Sequence, residues 1–169
     1  MDIKKISQTT VFGNKIDRRS ERNLTTPIFF IFNMKKFNKQ ERSSWRYFWA
    51  HWCAFQMVAI TLGVWKPKHL FHDWYKPWLK MFGVPYEDIQ KFHRINSNHH
   101  LEYLEYKNPV KLDWVSLVVD WECSQYTKNA CKNNARAEME DWISNNIDDT
   151  YTIYCLNRYM RPLLDKYDL

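Results

Sequence analysis

All six histidines of the chain fall between residues 51 and 100, and several stand beside carboxylates and a lysine at spacings that suit metal and phosphate chemistry. His72-Asp73 places a neutral nitrogen donor next to a hard anionic oxygen donor. That mixture suits Fe, Mn, Zn, Ni or Co better than Ca, and a carboxylate can bridge two ions. Lys76 follows His72 by four residues and Asp73 by three, so on a continuous helix it projects from the same face as both and can meet a phosphate oxygen. His93 is followed by the pair His99-His100. Neighbours on a regular helix diverge by about 100°, so both ligate one centre only if the Asn96-Ser97-Asn98 break distorts the backbone; otherwise one binds substrate. Asp120 interrupts the apolar run Val115 to Val119 and precedes Trp121, which carries a carboxylate into an apolar setting where it needs a compensating cation.

Taken singly, each residue has a plainer reading. His51 alone fits a hydrogen-bonded core histidine, His93 or His99 a helix-end residue meeting carbonyls, and Asp120 the partner of an arginine. Asp113 reads as a first-turn acid favoured by the helix dipole, and His69 as a neighbour of the ligands or a surface residue. The ordered set is what favours a metal site over these.

The elements that must position these residues read as helices. With 3 Gly, 6 Pro, 45% hydrophobic and 17% aromatic residues in 169, the expectation is an all-α compact bundle of about five to seven helices with an irregular N-terminal tail. Residues 1–40 are expected to be a basic, flexible extension and 41–169 the helical domain. Pro27 to Phe32 reads as a short strand or an apolar plug, and Met34 as a possible natural start. The first helix is expected from a cap at Ser43 or Ser44 to about Val64, with Tyr47, Phe48, His51, Ala54, Phe55, Val58, Ala59 and Leu62 on one stripe. A second begins near Pro67, carries His69, His72, Asp73 and Lys76, and is interrupted or kinked at Pro77. A third runs from about Tyr86 to Ile95, with another turn or two over His99 to Tyr106. A fourth opens at Asn108-Pro109 and reaches about Tyr126, and two more cover roughly Asn133 to Asn146 and Asp149 to Tyr167.

With these positions in view, the chain resembles the HD-domain superfamily, whose metal motif runs His, then His-Asp, then a distant Asp on separate helices. His51, His72, Asp73 and Asp120 match those positions. The lysine after His-Asp, the separate His93 and the His99/His100 pair are similar to the dinuclear branches, which include HD-GYP phosphodiesterases and myo-inositol oxygenase. The segments HDWYK, HRINSNHHLEY and DWECS look like a small branch found in bacteria and their viruses. The likeness covers about residues 45 to 126. It departs from the cyclic-dinucleotide enzymes in lacking a Gly-Tyr-Pro signature, and Trp74 and Tyr75 replace small residues, which implies a narrower pocket.

The resemblance implies a metal-dependent phosphohydrolase acting on a nucleotide or other small phosphoester, with one or two divalent transition-metal ions. His51, His72, Asp73 and Asp120 would hold the first ion; Asp73 would bridge to a second held by His93 and one or both of His99 and His100. Lys76 would bind substrate and neutralise charge on the phosphoryl oxygens, and Glu102 would orient a ligand imidazole or carry a proton. A di-iron oxygenase of the same superfamily is the alternative, and a non-catalytic helical binding protein with a basic tail the next.

Charge and cysteine usage bound the rest. Residues 1–42 hold ten Lys/Arg and four acids, whereas the remainder holds fifteen of each, so the net charge of +6 belongs to the tail, which could contact nucleic acid or anionic lipid. The tryptophans Trp45, Trp49, Trp52 and Trp78, with Tyr75, are possible base-stacking platforms, but most large rings are expected in the core or a pocket wall. Four cysteines without a CxxC pair read as reduced thiols in a cytoplasm. No apolar run approaches the ~20 residues of a membrane span, no segment has signal-peptide character, and no membrane partner is expected.

Overall fold

In the computed structural model, residues 35–105, 108–129 and 131–169 are described; Pro27 to Phe32 and Met34 lie outside them. The body is an all-α bundle, and among the described residues the only β-type pairing is an isolated bridge between Phe37 and Lys128. Phe37 is buried, its amide donates to the Thr127 carbonyl at 2.9 Å, and the Asn129 amide donates back to it at 3.2 Å. The packed body therefore reaches back into the segment read as tail.

Helix α1 spans Trp45–Thr61, capped by the Ser44 hydroxyl, which accepts from the Tyr47 amide. Its buried stripe is Tyr47, His51, Ala54, Phe55, Val58 and Ala59, so one histidine is carried inward with five hydrophobic neighbours. A single 3-10 turn, Pro67–Phe71, follows. Helix α2 spans Tyr75–Met81, α3 spans Tyr86–Asn96, and a 3-10 turn covers Leu101–Glu105. Helix α4, Trp114–Thr127, is the central element: it packs closely along α1 and also meets α5, Ala135–Asn145. The C-terminal helix starts as α6, Thr150–Cys155, passes through a π turn at Leu156–Met160, and continues as α7, Arg161–Tyr167. Pro162 has no N–H for the preceding turn, which accounts for the widened register there.

Two expected helices are broken where the sequence reading made them continuous. The segment from Pro67 to Lys76 is not one helix: it turns at His72-Asp73, with Asp73 in the left-handed region at φ 59°, and Pro77 lies in the first turn of α2 rather than ending a helix. Proline is tolerated there because first-turn N–H groups have no helical acceptor. Likewise Asn108 caps only the short turn Pro109–Lys111, and Asp113 starts α4 afresh by accepting from the Ser116 amide. Asp113 is thus a helix cap, and it also pairs with Lys68.

Candidate metal centre

Each approach to the centre comes from a different element. His51 hangs from α1, His72 and Asp73 from the turn before α2, Lys76 from the first turn of α2, and His93 from α3. His99 and His100 lie in the bend after α3, and Asp120 lies on α4. Asp73 stands in the middle. The Asp73 Oδ2 lies 3.9 Å from His51 Nε2, 3.8 Å from His72 Nε2 and 2.6 Å from Lys76 Nζ, while Oδ1 lies 2.9 Å from His93 Nε2. A left-handed backbone is costly for a residue with a Cβ and persists only where its surroundings demand it; at Asp73 it sets the carboxylate between the two sets of imidazoles.

The first set is closed by Asp120, whose Oδ1 is 3.0 Å from His51 Nε2 and 3.6 Å from His72 Nε2. Donor atoms of His51, His72 and Asp73 lie within 4.8 Å of one another, and so do those of His93, His99 and His100. The bend at Asn98 to His100 therefore does what a regular helix cannot, and both members of the pair converge. Their ring centroids are 4.5 Å apart, and that of His100 is also 4.5 Å from His93.

Few of these groups satisfy one another. His72 Nε2 and His99 Nε2 are buried and have no hydrogen-bond partner, while Asp73 Oδ1 approaches His93 Nε2 at 2.9 Å. His100 Nε2 and His93 Nε2 face each other at 2.7 Å. Buried nitrogen and oxygen donors left unpaired are costly, and a divalent ion between them is the partner this donor set fits.

Electrostatics prepare the ligands in their binding forms. Burial pushes the His51 and His93 imidazoles below their ordinary value despite Asp120 and Asp73 beside them. Burial and His72 bring His99 down to about 3, and burial and His99 hold His100 well below the usual range. These four are neutral near pH 7 and offer lone pairs. Burial alone would raise Asp73 and Asp120, but Lys76, His72 and His93 hold the first, and His51 and His72 the second, well below the carboxylate range.

Outer contacts orient the rings. The Tyr75 hydroxyl is 2.6 Å and the Ser97 hydroxyl 2.9 Å from His93 Nδ1, which directs Nε2 to the centre. His72 stacks on Phe55 at 3.6 Å between centroids and 12° between planes. His51 Nδ1 meets Thr127 Oγ1 at 3.4 Å and Cys123 Sγ at 3.7 Å. Cys123 belongs to a third close group with His51 and Asp120, but burial raises its thiol well above the ordinary value, and it donates to the Asp120 carbonyl at 3.2 Å.

His69 lies outside the donor set, buried, accepting from the Lys66 amide and facing Ser116 Oγ at 3.3 Å. Glu102 contacts Arg94 at 3.3 Å rather than a candidate ligand imidazole, and it lines the broad cleft that borders the centre. Lys128 is the main residue that sequence reasoning missed. Its Nζ donates to Ser124 Oγ at 2.7 Å; burial opposes its charge, yet Tyr47 and Asp120 hold the ammonium above the usual lysine value. The available signal was the spacing Asp120, Ser124, Lys128, one helical face over two turns.

The centre borders a broad cleft of about 1350 Å³, lined by His51, Asp73, Lys76, His100, Asp120 and Lys128 among others. Behind it, His72, His93 and His99 border a smaller cavity of about 430 Å³. Cys123 and Cys155 are buried, and none of the four cysteines is in a disulfide. A scan against protein-family profiles and searches of curated proteins and solved structures find no match to this chain.

Proposed function

We propose that the protein is a metal-dependent phosphohydrolase of HD type, acting on a nucleotide or another small phosphoester at a two-ion centre. The observation that carries this reading is Asp73, whose two oxygens face opposite ligand sets while Lys76 borders the open cleft. His51, His72, Asp73 and Asp120 would hold one ion, and Asp73, His93, His99 and His100 the other. Bound divalent ions supply Lewis-acid polarisation of a phosphoryl oxygen and lower the pKa of water.

The residues of the chain supply the remainder. Lys76 is held by Asp73, so its ammonium is positioned before substrate arrives, and it meets phosphoryl charge without reorganising. Burial lowers the Lys76 pKa although Asp73 opposes the shift. Lys128 adds a second cation on the cleft side, next to Asp120. Tyr75 and Ser97 keep His93 in one orientation.

Metal analysis followed by a phosphate-release screen over nucleotides and phosphomonoesters tests the reading. The expected result is close to two equivalents of a transition metal and turnover that chelation abolishes. Iron with visible absorption and oxygen consumption, without phosphate release, would replace it by the oxygenase alternative; no bound metal would leave a binding protein.

A further inference from the structure

The half of the molecule that buries charged and polar groups at its centre exposes large apolar rings on its outside. Five of the nine tryptophans, Trp45, Trp49, Trp65, Trp74 and Trp78, are exposed; the expectation placed most large rings in the core or a pocket wall, and Trp45 does line a pocket. All of the five but Trp65 belong to a connected band, Trp45 through Phe48. Trp49 meets Trp52 edge-on at 5.8 Å, the Trp52 indole donates to the Leu70 carbonyl at 3.0 Å, Phe71 lies 6.5 Å from Trp74, and Trp74 lies 5.6 Å from Trp78. Beyond Trp78, α2 ends in Met81 and Phe82, which are 63% and 81% exposed, and the chain then turns at Gly83 with φ 81°. Scattered apolar side chains are normal on a surface, whereas a connected band is not.

We infer that this band is a membrane-contact face that seats on an anionic lipid bilayer. Its charge pattern selects that occupant. From Arg42 to Tyr86 the only acid is Asp73, which is buried in the metal centre, and the cations Arg46, Lys66 and Lys80 flank the rings. Of the nearest acids outside that stretch, Asp113 is paired with Lys68 and Glu41 with Lys35, Glu87 lines the cleft, and Asp88 is exposed at the start of α3. The 34 residues before Lys35 hold six Lys/Arg and three acids, and the described chain enters beside this face at the turn Gln40–Ser43.

Tryptophan, phenylalanine and basic side chains without carboxylates suit the headgroup boundary, where rings bury their bodies and ammonium groups meet anionic lipid. No helix among the described residues is long and apolar enough to cross a membrane, and lying on a bilayer requires none. The expectation of no membrane partner rested on the lack of spanning segments, and a face that lies on a bilayer is a separate mode of contact. The inference does not depend on the metal centre being catalytic.

The test uses the full chain with two vesicle types, phosphatidylcholine alone and phosphatidylcholine mixed with phosphatidylserine. Co-sedimentation with the anionic vesicles is expected, weakened by added salt, and quenching of tryptophan fluorescence by brominated lipid places the rings in the boundary. F71S combined with F82S should reduce binding at least about tenfold with metal content unchanged. Binding that the double variant retains in full would assign attraction to basic residues alone and overturn the inference. So would unquenched tryptophans, or absence of vesicle binding with dimerisation through this face, which would make it a protein interface. The quenching measurement on the unaltered chain decides the matter if the double variant fails to fold.

Discussion

The two ends of the molecule are built on opposite plans. In the C-terminal half, Leu117, Met139, Leu156, Met160 and Leu164 are fully buried and the helices are capped by Asn134 and Asp149. In the half from α1 to the 3-10 turn after α3, the buried side chains include His51, His69, His72, Asp73 and His93, while Phe71, Trp74 and Phe82 are exposed. Burying apolar side chains stabilises; burying unpaired polar groups does not. The C-terminal half is held by apolar packing, whereas the other half encloses polar groups that a bound ion could offset. Helix α4 joins the two, with Leu117 and Val118 in one core, Val119 and Cys123 in the other, and Asp120 at the centre.

The comparison can be broken most severely at Asp73. Asp73→Ala should weaken both ions, because it is the shared ligand of the proposed two-ion centre, and should lower the proposed phosphohydrolase turnover by about 10²-fold or more; metal content by elemental analysis and phosphate release are the readouts. His93→Ala is the finer version, expected to remove one metal equivalent and spare the other. A variant that keeps the full complement with unchanged turnover would reduce the centre to a single ion.

In the C-terminal half, Leu156→Ala should cost about 2–5 kcal/mol of stability without changing metal stoichiometry in the folded fraction, measured by chemical denaturation and metal analysis. Loss of the metal alone from a still-folded protein would contradict the division of labour. Chelation should do the reverse. Removal of the ions should accelerate amide exchange over residues 67–105 and leave α5 to α7 nearly unchanged, because only the first region encloses unpaired donors.

The smallest expected effect is on the pH dependence of the metal-free protein. The imidazoles of His51, His93, His99 and His100 have folded pKa values below the ordinary 6.5, so the unfolded chain binds more protons as pH falls through that value. Stability should be fully present above about pH 7 and decline from 6.5 downward, for His99 until about 3. Asp73 and Asp120, held low, add to the loss only below their ordinary 3.8. Thermal unfolding of the chelated protein between pH 8 and pH 5 tests the sign, and a midpoint that rises on acidification would refute it.

Much of this was legible in the residues. The stripe on α1, the caps at Ser44 and Asp149 and the apolar run around Asp120 follow from helical periodicity and local hydrogen bonding, which are written in neighbouring residues. Histidines beside carboxylates and a lysine three residues on state their chemistry by type and spacing. The tertiary structure alone decided the left-handed turn at Asp73, because an unfavourable φ is held by contacts with α1, α2 and α3 rather than by Asp73 itself. It also decided that His99 and His100 converge, that Glu102 turns to Arg94, and that Lys128 joins the cleft. Each depends on residues from distant helices meeting, and local propensity carries no information about that. The exposure of Trp74 and Phe82 belongs to the same class: hydrophobicity predicts burial, and only the tertiary packing determined which rings were left outside.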